Sequence, residues 1–137
     1  MNMNMNMNKE RIEKREYARV FFTLEEDITA TVSSHETTVQ SIPITILSLS
    51  AGGLSFLGNR YKLPEIAEGE QLTLTALNFP QPLGIIDNVK VVIIYMLDFQ
   101  HNVRLSFGCE FVDIPVSLAE KIEEFVQLRL KNIHLDQ

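Results

Sequence analysis

Apolar and polar residues alternate in short segments along most of this chain, and this period of two constrains the fold more than any other feature. The segment from Val103 to Phe111 is the clearest, because every second residue is apolar and the residues between are polar or glycine. Such alternation is typical of a strand with one face in a core and one face in solvent. Further strand-like patterns lie around residues 20–22, 28–33, 42–48, 54–56, 72–75 and 89–96.

Turn-forming residues separate these segments at short intervals. Clusters of acidic residues, serine, asparagine, glycine or proline lie at residues 25–27, 33–36, 78–84 and 98–102. Short strands joined by such turns predict a small antiparallel β-barrel or sandwich.

The period changes near the end of the chain. Ser117 and Glu120 have the spacing of a capping box, and the apolar residues that follow recur at helical spacing. We therefore predict a C-terminal α-helix over residues 117–133. Its apolar stripe is best interpreted as a cover for one mouth of the barrel, although a partner-binding or dimerising helix stays open.

Length and composition are those of one globular domain. The 137 residues are 45% apolar and 22% charged, and no apolar run approaches the roughly 20 residues that cross a bilayer, which predicts no membrane insertion. Residues 1–10 are dominated by a Met-Asn repeat without the apolar centre of a signal peptide, and we expect them to be disordered. The single Cys109 excludes an internal disulfide and fits a cytoplasmic protein.

The charge is unevenly distributed. The formal net charge is −6, yet the segment from Lys9 to Arg19 has five basic residues against three glutamates. A cationic arm on an acidic body suits a small anionic ligand better than a nucleic acid polymer, which needs a broad basic face.

Motifs of catalysis and metal binding are missing from the sequence. It has no Gly-x-Ser-x-Gly elbow, no phosphate-binding Gly-x-x-x-x-Gly-Lys and no cluster resembling a catalytic triad. The three histidines are far apart and none has metal-ligand spacing to Cys109. We predict that the chain is not an enzyme and holds no metal or cofactor.

Two elements suggest a ligand site. Arg15 and Arg19 are spaced by three residues before the first strand, and each guanidinium can address guanine O6 and N7, or two phosphate oxygens, with a rigid fork of donors. About thirty residues later, the turn from Ser48 to Gly53 offers hydroxyls and two glycines, which permit positive φ and close backbone approach to a ligand.

Together these elements resemble the signature of the PilZ domain family, Arg-x-x-x-Arg followed by Asp/Asn-x-Ser-x-x-Gly. Tyr17 within the arginine motif and a late Gly-x-x-Phe starting at Gly108 add to the resemblance. It implies a six-stranded antiparallel β-barrel with a C-terminal helix: a domain over residues 11–137, with the arm at 11–19 and the barrel at 20–114.

The resemblance also implies a bacterial receptor for the second messenger cyclic di-GMP. The expected ligand-binding residues are Lys14, Arg15, Arg19, Ser48, Ser50, Gly52 and Gly53. Ser48 departs from the family pattern because Asp or Asn is preferred there, and Glu16 follows the first arginine where many members are basic. Ligand binding by the arm is expected to alter contact with an unidentified protein partner. The alternative is a PilZ-fold adaptor that has lost nucleotide binding, and a homodimer is also left open.

Overall fold

The computed structural model of the protein describes residues 17–33, 41–98 and 102–135. Seven strands and one long α-helix lie in these ranges, together with a single 3-10 turn at Leu24–Glu26. The strands are β1 (Arg19–Phe21), β2 (Thr29–Ser33), β3 (Ser41–Ser50), β4 (Gly53–Asn59), β5 (Gln71–Asn78), β6 (Ile85–Asp98) and β7 (Arg104–Val112); the helix is α1 (Val116–Leu135).

Six of the strands close into an antiparallel barrel. Their order is β3-β2-β5-β6-β7-β4, and β4 pairs back onto β3 to complete the circle. Because closure leaves each barrel strand with a neighbour on both sides over much of its length, few backbone groups remain unpaired. The six-stranded barrel with a C-terminal helix predicted from the sequence is confirmed.

The remaining strand, β1, lies outside the barrel. It pairs with β3 on the same edge as β2 does. Its register pairs Arg19 with Ser50 and Phe21 with Ser48. β3 is long enough for both neighbours, because β2 pairs with residues 41–45 and β1 with residues 48–50. The pairing therefore places β1, which carries Arg19, directly beside the Ser/Gly turn.

The core combines the barrel interior with one face of α1. Ile122, Phe125 and Val126 are buried in the same cluster as the inward-facing strand residues. The ring of Phe125 lies near those of Phe22 and Phe79, with centroids 6.5 Å from each. The stripe predicted from helical spacing is thus the face that packs on the barrel.

The helix begins at Val116, one residue before the predicted start, and ends at Leu135. The carbonyl of Pro115 accepts hydrogen bonds from the backbone N–H groups of Leu118 and Ala119. Ser117 therefore lies inside the first turn, and its predicted role as the helix N-cap is wrong. In the described part of the chain, no helix has both the length and the apolar character needed to cross a bilayer.

Candidate functional site

Two neighbouring rows of side chains run across the sheet where β1, β3, β4, β7 and β6 meet. The inward row is apolar and buried, and it consists of Val20, Leu49, Leu54, Cys109 and Ile93. Because successive side chains alternate between the two faces of a strand, the next row faces outward. That outward row follows the cross-strand pairs Phe21–Ser48, Ser48–Ser55, Ser55–Gly108 and Gly108–Tyr95.

The outward row forms a shallow pocket of about 290 Å³. Its centre is made of small residues, Ser48, Ser55 and Gly108, and its sides include the aromatic residues Phe21 and Tyr95. Phe21 is 71% exposed and Tyr95 is 44% exposed. Large apolar side chains therefore stand beside a polar floor, which is an arrangement that suits a flat ligand with polar edges.

Arg19 is held at the edge of this pocket by two serines. Its Nη1 donates to Ser48 Oγ at 2.8 Å, and its Nη2 donates to Ser50 Oγ at 3.2 Å. Burial lowers the pKa of Arg19, whereas Tyr95 opposes that shift. Among the described residues, the side chains that accept hydrogen bonds from this guanidinium are the neutral hydroxyls of Ser48 and Ser50.

Both serines make a further hydrogen bond. Ser48 Oγ is hydrogen-bonded to Ser55 Oγ on the adjacent strand. Ser50 Oγ accepts from the N–H of Gly52 and donates to the carbonyl of Gly53. The turn thus folds around the Ser50 hydroxyl, and Ser48 and Ser55 form a buried polar pair under the pocket.

The two glycines of the turn have roles that differ from the predicted ones. Neither Gly52 nor Gly53 has positive φ, so that part of the prediction is wrong. A β-carbon at position 53 would lie 2.0 Å from the carbonyl oxygen of Cys109, because β7 passes close to the backbone there. A β-carbon at position 52 would lie 3.1 Å from the ring of Tyr17. The turn therefore needs glycine at position 53 to admit β7, whereas at position 52 a side chain would require only a small shift of the exposed Tyr17 ring.

The structure brings together five of the residues predicted to bind ligand. Arg19, Ser48, Ser50, Gly52 and Gly53 are connected by the pairings and hydrogen bonds given above. Lys14 and Arg15 lie outside the described residues. The assignment of all seven to a ligand remains a prediction.

Sequence reasoning missed most of the residues that line the pocket, among them Phe21, Ser55, Tyr95 and Glu110. Ser55 lies two residues after Gly53 on β4, and these two residues pair with Ser50 and Ser48 on β3, so a period of two started at Gly53 could have found it. Tyr95 is harder to predict, because a register shift between Ile93 and Tyr95 changes the face on which residues after Ile93 lie.

A larger open depression of about 770 Å³ lies along α1, and it shares no lining residue with the pocket at Arg19. Its lining has two carboxylates, Glu123 and Glu124, against one basic residue, Lys131, and this net negative charge disfavours an anion. Within residues 17–33, 41–98 and 102–135, no cluster of three or more histidine, cysteine or acidic side chains is placed to hold a metal ion.

Solved structures share this fold. The PilZ domain of YcgR from Escherichia coli with c-di-GMP is 16% identical, with a TM-score of 0.67, over 90% of this chain and 98% of that one. The K. pneumonia MrkH–c-di-GMP complex is 13% identical, with a TM-score of 0.68, over 90% of this chain and 55% of that one. The Bacillus subtilis inhibitor of motility (MotI/DgrA) is 16% identical, with a TM-score of 0.67, over 87% of this chain and 52% of that one. This chain thus spans about half the length of the last two proteins.

A comparison with curated protein sequences finds no match. The family model of the PilZ domain, in contrast, matches residues 13–128 and so covers both the arginine motif and the Ser/Gly turn. Because this match includes most of the chain and the closed barrel agrees with it, the chain belongs to the PilZ domain family.

Proposed function

We propose that this chain is a receptor for cyclic di-GMP and that the ligand binds at the pocket beside Arg19. The observation that carries the proposal is the attachment of the Arg19 guanidinium to Ser48 and Ser50, the two serines of the predicted motif. The PilZ domain of YcgR and MrkH, which have the same fold, have been solved with c-di-GMP.

The chemistry of the pocket supports a nucleotide with a phosphate diester. Arg19 offers a fixed fork of donors, which matches phosphate oxygens or the O6 and N7 edge of guanine. Phe21 and Tyr95 offer exposed aromatic surface close by, on which a purine ring can stack. At about 290 Å³ the pocket is at the small end for ligand sites, so we propose that it holds one part of the messenger.

The rest of the ligand is proposed to contact Lys14 and Arg15. These two residues precede Arg19 by only a few positions in the sequence, so we expect their long side chains to reach a ligand bound at Arg19. Binding would connect the arm to the turn at residues 48–53 and change the surface seen by a partner protein. The proposed setting is the bacterial cytoplasm, where such a receptor controls motility, exopolysaccharide synthesis or pili.

Calorimetric titration tests the proposal. Cyclic di-GMP is titrated into the protein, with GTP as the control ligand, and saturable binding at micromolar affinity or tighter is expected for cyclic di-GMP alone. The variant with Arg15→Ala and Arg19→Ala should lose this binding and keep its unfolding temperature. Arg104→Ala is the matched control, because Arg104 is an exposed arginine of β7 that does not line the pocket.

The second candidate is an adaptor of the same fold that acts through protein contacts alone. Ser48 favours it, because serine replaces the carboxylate or amide preferred in the motif: its hydroxyl accepts from Arg19 but offers no second acceptor oxygen, and one such hydrogen bond to a charged group or a guanine is worth about 1.5–3 kcal/mol. No heat of binding for the unmodified protein at high micromolar cyclic di-GMP, with an unchanged unfolding temperature, would replace the receptor proposal with this one.

A further inference from the structure

The hydroxyl of Ser50, which the motif places in the ligand site, is already fully used. A serine hydroxyl has one proton to donate and two lone pairs that accept. Ser50 Oγ accepts from Arg19 Nη2 at 3.2 Å and from the N–H of Gly52 at 3.2 Å, and it donates to the carbonyl oxygen of Gly53 at 3.4 Å. Ser50 therefore holds Arg19 and the turn, and it has no hydrogen-bonding capacity left for a ligand.

The contacts of the Ser48 hydroxyl determine which of the two serines donates the hydrogen bond between Ser48 and Ser55. Ser48 is only 1% exposed, and its oxygen accepts from Arg19. Its proton has one available acceptor among the described contacts, the oxygen of Ser55. If Ser55 donated instead, the Ser48 proton would be buried without a partner, which is costly. Ser48 therefore donates to Ser55.

This direction leaves the proton of Ser55 uncommitted. Among the described residues, Ser48 is the only hydrogen-bond partner of the Ser55 side chain. Ser55 is 7% exposed and lines the same pocket as Arg19. Arg19, Ser48 and Ser55 form a chain of hydrogen bonds that begins at a cation. The cation polarises each hydroxyl in turn, which makes the hydroxyl of Ser55 a better donor to an anion.

We propose that Ser55 is the serine of this site that donates to the ligand, and that its acceptor is a non-bridging phosphate oxygen. The inference rests on the proposed function, since it names a contact within the cyclic di-GMP site. Ser48 and Ser50 position Arg19, whereas Ser55 touches the ligand. This division assigns the direct contact to a residue two positions beyond the family motif.

The test is a titration of cyclic di-GMP into the unmodified protein, Ser55→Ala, Ser55→Cys and Ser106→Ala. Ser106 is the matched control, since it is a half-buried serine on β7 outside the pocket. We expect Ser55→Ala to raise Kd about tenfold or more, Ser55→Cys to lie between it and the unmodified protein, and Ser106→Ala to stay within about twofold.

A modified ligand separates direct contact from positioning. The probe is cyclic di-GMP in which sulfur replaces one non-bridging phosphate oxygen, used as separated diastereomers. For one diastereomer, the unmodified protein should lose affinity relative to cyclic di-GMP, whereas Ser55→Ala should bind both ligands equally. A merely structural Ser55 would leave the penalty for sulfur unchanged.

The outcomes distinguish this inference from the proposed function. If the unmodified protein binds cyclic di-GMP and Ser55→Ala binds it within twofold, the role of Ser55 is refuted and the receptor proposal stands. If the unmodified protein does not bind, both are refuted. A tenfold loss together with equal binding of the two ligands by Ser55→Ala supports the direct contact.

Discussion

Tyr95 and Gly108 are directly paired across β6 and β7, and the aromatic ring occupies the space that any side chain at position 108 would need. A β-carbon built on Gly108 lies 2.0 Å from a ring carbon of Tyr95. Both residues line the pocket beside Arg19. The absence of a side chain on one strand therefore sets the position of an aromatic wall on the next.

Gly108→Ala should displace the Tyr95 ring and destabilise the barrel by about 1–3 kcal/mol through overpacking. The free energy of unfolding in urea measures the effect. In the Tyr95→Ala background the same substitution should cost much less, because the ring is gone. An equal cost in both backgrounds would show that the ring is not what makes alanine unfavourable at this position.

Ser48→Asp should tighten the binding of cyclic di-GMP by about tenfold or more, because the carboxylate of the family motif holds the Arg19 guanidinium more firmly than the neutral Ser48 hydroxyl does. Calorimetry gives the change in Kd. Ser106→Asp adds the same charge to β7 outside the pocket and should not tighten binding. Unchanged affinity in Ser48→Asp would mean that the serine does not weaken the site.

Arg129→Ala should destabilise the protein by about 1–2 kcal/mol, because Arg129 makes an ion pair with Glu26 and lies over the rings of Phe22 and Phe125. Urea unfolding at neutral pH measures the loss. Lys131→Ala is the control, since Lys131 is an exposed basic residue on the same helix. Equal losses in the two variants would contradict a specific role for Arg129.

The same ion pair predicts an acid dependence of stability. Burial pushes the pKa of Glu26 upward, but hydrogen bonds from Arg129 and Thr23 outweigh it, so the pKa lies below its ordinary value. The carboxylate is therefore stabilised by folding, and its contribution is present above the ordinary pKa and lost as the pH falls below about 4. Glu26→Gln should flatten the decline of unfolding free energy in that range; an unchanged decline would exclude Glu26 as its source.

Cys109 should react slowly with thiol reagents at pH 8. Burial raises the pKa of its thiol to about 12, so very little of the reactive thiolate is present at that pH. Ellman's reagent should modify the native protein far more slowly than the same protein unfolded in urea. Comparable rates in the two states would contradict the burial of this residue.

The sequence predicted the barrel because inward residues such as Leu105, Phe107 and Cys109 alternate with outward ones, and this pattern depends only on local order along the chain. The predicted grouping of Arg19 with Ser48 and Ser50 came instead from the resemblance to the PilZ signature, because order along the chain does not by itself bring together residues about thirty positions apart.

The walls of the pocket could not be predicted in the same way. Tyr95 lines the pocket because the strand pairing shifts register near Ile93. Such a shift, caused by an extra residue in one strand, leaves no periodic pattern in the sequence from which it could be predicted. The reason why position 53 requires glycine could not be predicted either. The carbonyl of Cys109, which lies close to Gly53, belongs to a strand more than fifty residues later in the sequence. Both facts depend on which strands become neighbours.

The short strand β1 links the candidate site to the helix. Arg19 starts the strand and is attached to Ser48 and Ser50, while Phe22, just beyond its end, lies against Phe125 and Arg129 of α1. We predict that this contact couples the candidate site to α1. Because coupling free energies are reciprocal, substitutions that loosen α1 should then weaken the binding of a ligand at Arg19, and the ligand should slow hydrogen exchange in α1. The C-terminal helix would thus act on the candidate site without lining it.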